Sequence, residues 1–167
     1  MIIKKLLSDK TNYHYGRMSP IKGRMSPIKY IVIHYTGNKG DTALANAKYF
    51  TKPHIGASAH YFVDSKEIYN TVDDSDTAWH CGALQYKHSF CRNRNSIGIE
   101  ICSEFKSGRF YTPEETLKNV VELVKSLMKT YNIPLENVVR HYDVTGKLCP
   151  AQYIDEDSWK GFKELLK

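Results

Sequence analysis

The side chains best suited to metal chemistry in this chain gather in one short stretch, His141-Tyr-Asp-Val-Thr-Gly-Lys-Leu-Cys149-Pro150. A neutral imidazole nitrogen and a thiolate are ligands that zinc favours at neutral pH, and a short loop containing Gly can turn His141 and Cys149 toward one point. Two ligands do not hold a zinc, so a third must come from elsewhere. The ordinary alternative is an exposed His in a turn beside a buried structural Cys. His34 closes Tyr30-Ile-Val-Ile-His34-Tyr-Thr-Gly37, a β-branched run ended by Gly that reads as a buried central strand. A His there is often a satisfied core residue, yet strand ends are where α/β sheets present functional groups. Glu100 lies in Ser96-Ile-Gly-Ile-Glu100-Ile-Cys102, whose period of two puts Ile97, Ile99 and Ile101 on one face and Gly98, Glu100 and Cys102 on the other. A lone carboxylate in an apolar strand is costly to desolvate unless a cation or a metal-bound water uses it.

The elements that must position these groups alternate between strand and helix. Asp41 to Phe50 is Ala-rich and reads as a helix capped by Asp41 or Thr42 and ended before Pro53. Ser58–Val63 and Glu67–Val72 flank Asp64-Ser-Lys66 and read as a β-hairpin. A long irregular segment then runs from Ala78 to Asn95 and holds Trp79, His80, Cys81, His88 and Cys91. A second zinc site there is disfavoured, because adjacent ligands in extended chain point opposite ways and no Cys-x-x-Cys knuckle occurs. The clearest helix has Thr112 as expected N-cap, Pro113 in its first turn and Glu115 completing a capping box. Leu117, Val120, Val121, Val124, Leu127, Met128 and Tyr131 give it one apolar stripe. Asn137–His141 reads as a short strand delivering His141, and a last amphipathic helix turns Trp159, Phe162, Leu165 and Leu166 inward. The pattern predicts an α/β fold with a mixed central β-sheet flanked by helices.

Composition bounds the partners. A chain of 167 residues, 41% hydrophobic and 25% charged, is of ordinary globular composition and one domain in size, which excludes disorder and membrane insertion as expectations. The net charge of +6 favours an acidic partner, and without an Arg-rich recognition helix an anionic polymer such as a bacterial wall ranks above nucleic acid. The start lacks the apolar core of a secretory signal, so export by that route is not expected. Four cysteines are too few and too irregular for a disulfide framework, with a Cys81 to Cys91 bridge left open. Residues 16–22 and 23–29 are the same heptapeptide, Gly-Arg-Met-Ser-Pro-Ile-Lys, written twice. With Gly and Pro in each copy and no periodic apolar face, residues 1–29 read as an N-terminal arm whose duplicated part is a basic surface insertion.

Five of these stretches, occurring in order, carry a resemblance. Ile31-Val-Ile-His34-Tyr-Thr-Gly37, Ser58-Ala-His-Tyr61, Ala78-Trp-His-Cys-Gly82, Ser96-Ile-Gly-Ile-Glu100 and His141 to Pro150 resemble the type 2 N-acetylmuramoyl-L-alanine amidases of phage endolysins and bacterial autolysins, relatives of the peptidoglycan-recognition proteins. The resemblance implies a zinc site at one edge of the sheet made by His34, His141 and Cys149, with Glu100 and Lys147 as catalytic pair. It implies that Trp79 and His80 line the substrate groove. Some relatives place a Tyr just before the hairpin His, where this chain has Ala59, which shifts the catalytic burden onto Glu100. The implied whole is a single zinc amidase catalytic domain over 1–167, without a wall-binding module, acting as a monomer on bacterial peptidoglycan after release from the cytoplasm. Two other readings are a binding module that recognises peptidoglycan without cutting it, and an amidase recycling wall fragments inside the cell.

Overall fold

The computed structural model describes residues 2–19 and 25–167. In chain order the strands are β1 (Ile3–Lys5), β2 (Tyr13–His14), β3 (Tyr30–Tyr35), β4 (Tyr61–Val63), β5 (Ile68–Asn70), β6 (Thr77–Ala78), β7 (Ser96–Ile101), β8 (Glu104–Lys106), β9 (Arg109–Tyr111) and β10 (Val138–Arg140). The α-helices are α1 (Ala43–Phe50), α2 (Glu114–Tyr131), α3 (His141–Thr145) and α4 (Glu156–Glu164). Six strands form a mixed sheet in the order β1-β5-β4-β7-β3-β10, in which only β4 and β5 pair antiparallel, as the hairpin expected around Asp64. The three neighbours β7, β3 and β10 run parallel, so their C-terminal ends open on the same side.

Alternation along the strands divides the sheet into two unlike faces. Ile31 and Ile33 of β3 and Ile97, Ile99 and Ile101 of β7 face one cluster with Val120, Leu123, Val124 and Leu127 of α2 and Trp159 and Phe162 of α4. Each such side chain contributes roughly 1.5–3 kcal/mol by leaving water. The opposite face carries His34, Gly98 and Glu100, flanked by Tyr30, Val32, Cys81, Cys91, Val139 and Val144 on one side and by Ala43, Ala47, Ala59, Phe62 and Cys102 on the other.

Several local expectations are corrected. Thr42 caps α1 by accepting from the Ala45 amide, but Thr112 does not cap α2. Its hydroxyl is taken instead by Gln152 Nε2 at 3.1 Å and by the Tyr153 hydroxyl at 3.2 Å, leaving Pro113 at the N-cap position without a side-chain bond. Leu165 points outward at 45% exposed because α4 ends at Glu164, while Leu166 remains buried. His141 is not the end of a strand but the first residue of α3.

The duplicated heptapeptide is not wholly a surface insertion either. In its first copy Arg17 is 3% exposed and donates to the carbonyls of Arg94 at 3.1 Å and Ser96 at 3.0 Å, with Nε against the Asp74 carbonyl. The Gly16 amide meets Asp76 Oδ1 at 2.7 Å. Burial pulls the Arg17 guanidinium down to about 10, still charged at neutral pH, and the carbonyls around it are what make that burial tolerable. Beyond it, Met18 and Met25 face each other in an antiparallel bridge and Ser26 N donates to Arg17 O at 2.7 Å. Residues 20–24, which complete the first copy and begin the second, lie outside the described residues.

Candidate metal centre and active site

Register brings the first two groups together. In the parallel pairing of β3 and β7, His34 is the partner of Glu100, so both side chains leave the same face at neighbouring positions. His34 Nδ1 lies 4.0 Å from Glu100 Oε1. The third and fourth come from the segment after β10. The helix α3 begins with His141 and is stopped by Gly146, whose φ of 85° is the left-handed C-cap conformation that Gly adopts freely. The chain then doubles back, the Tyr142 amide donating to the Cys149 carbonyl at 2.9 Å, and this return brings the thiol to His34. Cys149 Sγ is 3.8 Å from His34 Nδ1, and the His34 and His141 rings meet edge to face with centroids 4.6 Å apart.

His34, His141 and Cys149 are all buried, and one ligand atom from each lies within 4.8 Å of the others. Ligands around a tetrahedral zinc stand about 3.6 Å apart, given bonds of roughly 2.0–2.3 Å. The protonation states suit a metal as well. Burial, reinforced by the neighbouring His80, holds His34 well below the ordinary imidazole range, and burial together with Lys147 brings His141 down to about 4. Both rings are therefore neutral at pH 7 and have a lone pair to give. Burial, with Glu100 adding to it, pushes the Cys149 thiol up to about 12, so a bound cation would have to displace its proton. Among the described residues, His141 Nδ1 and Glu100 Oε2 are buried without a hydrogen-bond partner, a costly arrangement that a ligand in the centre would relieve. Two imidazoles and a thiol are donors of the kind zinc takes, so these three residues fit the metal and would be the ones to hold it.

Glu100 and Lys147 line one cavity of about 530 Å³ together with Tyr35, Asp41, Asn46 and Tyr49. Burial pushes the Glu100 carboxyl up to about 8, against the pull of Lys147, while Lys147 itself is exposed at the mouth. Tyr35, Asn46 and Tyr49 carried no signal in the sequence, since single polar or aromatic residues at a strand end and on an Ala-rich helix look like ordinary surface. Trp79 and His80 are placed elsewhere. Trp79 lines a different cavity with His14, Tyr15, Tyr86 and Arg92, its ring edge to face with His14 at 4.9 Å. His80 lies against His34, Nδ1 3.0 Å from His34 Nε2. The irregular segment is packed rather than loose. Cys81 and Cys91 are free thiols with no exposure, and His88 Nδ1 accepts from the Phe90 and Cys91 amides rather than facing a second metal.

The family model described as N-acetylmuramoyl-L-alanine amidase matches residues 24–152. Among curated proteins the chain is 38% identical over 144 residues to the N-acetylmuramoyl-L-alanine amidase CwlL of Bacillus licheniformis, covering 81% of this chain and 39% of that protein. It is 39% identical over 141 residues to the N-acetylmuramoyl-L-alanine amidase XlyA of Bacillus subtilis, covering 83% of this chain and 44% of that one. The chain thus spans about two-fifths of the length of these relatives. Among solved structures, the catalytic domain of XlyA superposes with a TM-score of 0.78 at 33% identity over all of both chains. A mutant endolysin from Bacillus subtilis gives 0.79 at 35% identity over 100% of this chain and 99% of that one. By sequence match and by fold, this chain belongs to the N-acetylmuramoyl-L-alanine amidase family.

Proposed function

We propose that this chain is a zinc-dependent amidase that hydrolyses the amide between the lactyl group of muramic acid and L-alanine in bacterial peptidoglycan. The observation that carries the reading is the convergence of His34, His141 and Cys149 at the buried end of three parallel strands, beside the cavity where Glu100 and Lys147 stand. Zinc held by those three side chains would supply a Lewis acid for the scissile carbonyl. Glu100, with Oε2 unengaged, takes the proton of the attacking water and returns it to the departing amine. Burial raises the Glu100 carboxyl to about 8 in the metal-free chain, and a cation at the adjacent centre would pull it back toward the carboxylate that accepts the proton. Lys147 faces the developing oxyanion from the mouth of the cavity. Ala59 is 1% exposed and packed with Ala43 and Phe62, so no side chain from that position reaches the centre and the proton transfer rests on Glu100.

The relatives named above as N-acetylmuramoyl-L-alanine amidases support this choice of bond, and the net charge of +6 suits an anionic wall. Among the described residues no helix is long and apolar enough to cross a membrane. In the proposed setting the domain works as a monomer, reaching the wall after release from the cell that made it. Digestion of purified wall followed by mass analysis tests the reading. Free stem peptides beside intact glycan strands are the expected products, and cut glycan or undigested wall would contradict it.

A further inference from the structure

We propose that His80 is a positioning residue for the metal centre, fixing through a directed hydrogen-bond chain which nitrogen of His34 is left to bind zinc. The direction of the chain follows from one contact between oxygens. Ser96 Oγ lies 2.8 Å from the Arg92 carbonyl, and only the serine carries a proton to share, so its hydroxyl donates there. Toward His80 Nε2, 3.1 Å away, the same oxygen accepts, which places the proton of His80 on Nε2 and leaves Nδ1 with a lone pair. That lone pair faces His34 Nε2 at 3.0 Å, so His34 donates from Nε2. The unprotonated Nδ1 of His34 is then the atom pointing at Cys149 Sγ. A neutral imidazole has one proton, and this chain puts it on the nitrogen that does not face the metal position.

His80 is seated for this task. Its backbone amide donates to Asn93 Oδ1 at 3.2 Å, and the same oxygen takes the Cys81 amide at 2.8 Å, pinning the chain on either side of the residue. The ring lies flat on β7 where Gly98 has no side chain: a Cβ there would stand 2.5 Å from His80 Cγ and 2.8 Å from Nδ1. The glycine of the Ser-Ile-Gly-Ile-Glu stretch is therefore the floor under His80, and the serine two residues earlier is its anchor. One strand thus supplies the proton acceptor for His80, the space for its ring and, at Glu100, the carboxylate at the centre.

The inference rests on the zinc centre proposed above and is tested separately from it. Zinc dissociation constants from chelator competition are compared for wild type, His80→Phe, His80→Asn, Ser96→Ala and Gly98→Ala, with circular dichroism and thermal unfolding of the metal-free proteins to confirm the fold. His80→Phe keeps the ring and loses the acceptor, and is expected to weaken zinc about 10- to 100-fold. His80→Asn offers Oδ1 near the position of Nδ1 and is expected to recover most of that loss, which filling the space alone would not do. Ser96→Ala and Gly98→Ala weaken zinc in the same direction. Nitrogen-15 spectra of the metal-free wild type should show His34 protonated on Nε2, a readout that needs no variant to fold. Zinc affinity of folded His80→Phe within twofold of wild type, or His34 protonated on Nδ1, overturns the inference. Unchanged zinc binding in His34→Ala would instead overturn the centre itself.

Discussion

The two faces of the central sheet are built from the same strands and obey different rules. On one face Ile97, Ile99 and Ile101 meet α2 and α4 through contacts that depend on volume and are tolerant of chemistry. On the other, the intervening positions Gly98 and Glu100, with His34 on the neighbouring strand, each have one specific partner or one specific space. A strand can therefore carry stability and chemistry at once, one residue apart. The two faces should also fail differently when changed.

The largest contrast is between Glu100 and its neighbour Ile99. Glu100→Gln is expected to keep fold and zinc and to lose turnover by roughly a hundredfold or more, as for removal of a general base. Ile99→Val should cost about 1 kcal/mol of stability and leave the activity of the folded protein nearly unchanged. Wall-lysis rates and denaturant unfolding on the two variants check this, and near-normal lysis by Glu100→Gln would take that residue out of the mechanism.

Arg17 extends the comparison to a polar group whose role is structural. Arg17→Ala leaves the carbonyls of Asp74, Arg94 and Ser96 without their shared donor, and should lower stability by about 3 kcal/mol, read from chemical denaturation. A loss under about 0.5 kcal/mol would mean water replaces the guanidinium at little cost.

Zinc affinity should respond to pH through the thiol and the carboxyl and not through the imidazoles. In the metal-free chain Cys149, pushed up to about 12, holds its proton throughout the neutral range, so binding releases one proton and affinity rises about tenfold per pH unit. Glu100, pushed up to about 8, also holds a proton below that pH, and a dication beside it favours the carboxylate, so the wild-type slope lies between one and two. His141, brought down to about 4, and His34, held well below the ordinary imidazole range by burial, are already neutral. The Glu100→Gln slope is then one between about pH 5.5 and 7.5. A slope near three in competition titrations would show the imidazoles protonated in the free protein.

The smallest effect is expected from the duplicated heptapeptide. Removing either copy gives the same sequence and keeps one Gly-Arg pair to fill the place of Gly16 and Arg17. The excised residues leave from a stem already closed by the bond from Ser26 N to Arg17 O, so fold and zinc content should persist with a stability change within about 1 kcal/mol. Unfolding of the shortened chain, by circular dichroism, would show that the second copy is packed structure as well.

What the sequence made legible follows from the range of the interactions involved. The period of two in Ser96 to Cys102 separated the two faces of β7 correctly, and the ligand types at His34, His141 and Cys149 marked the residues that the fold brings together. The partnership of His34 with Glu100 depends on the register of strands distant in sequence, which no local pattern encodes. Arg17 looked like surface because a basic residue among Gly and Pro ordinarily is; its burial needs carbonyls from two other segments of the chain. His80 was read as a groove residue from its place in the Ala-Trp-His-Cys-Gly stretch, and only the ring's position over Gly98 shows it against His34. The short strands β1, β2, β8 and β9 gave no signal, since two or three residues are too few to display a period.

The central claim is that His34, His141 and Cys149 form a single metal centre, and the zinc-to-chain ratio tests it most directly. Metal analysis of the purified wild type should give one zinc per chain, and the Cys149→Ser, His141→Ala double variant, confirmed folded, should give close to none. Full zinc occupancy in that double variant would contradict the account.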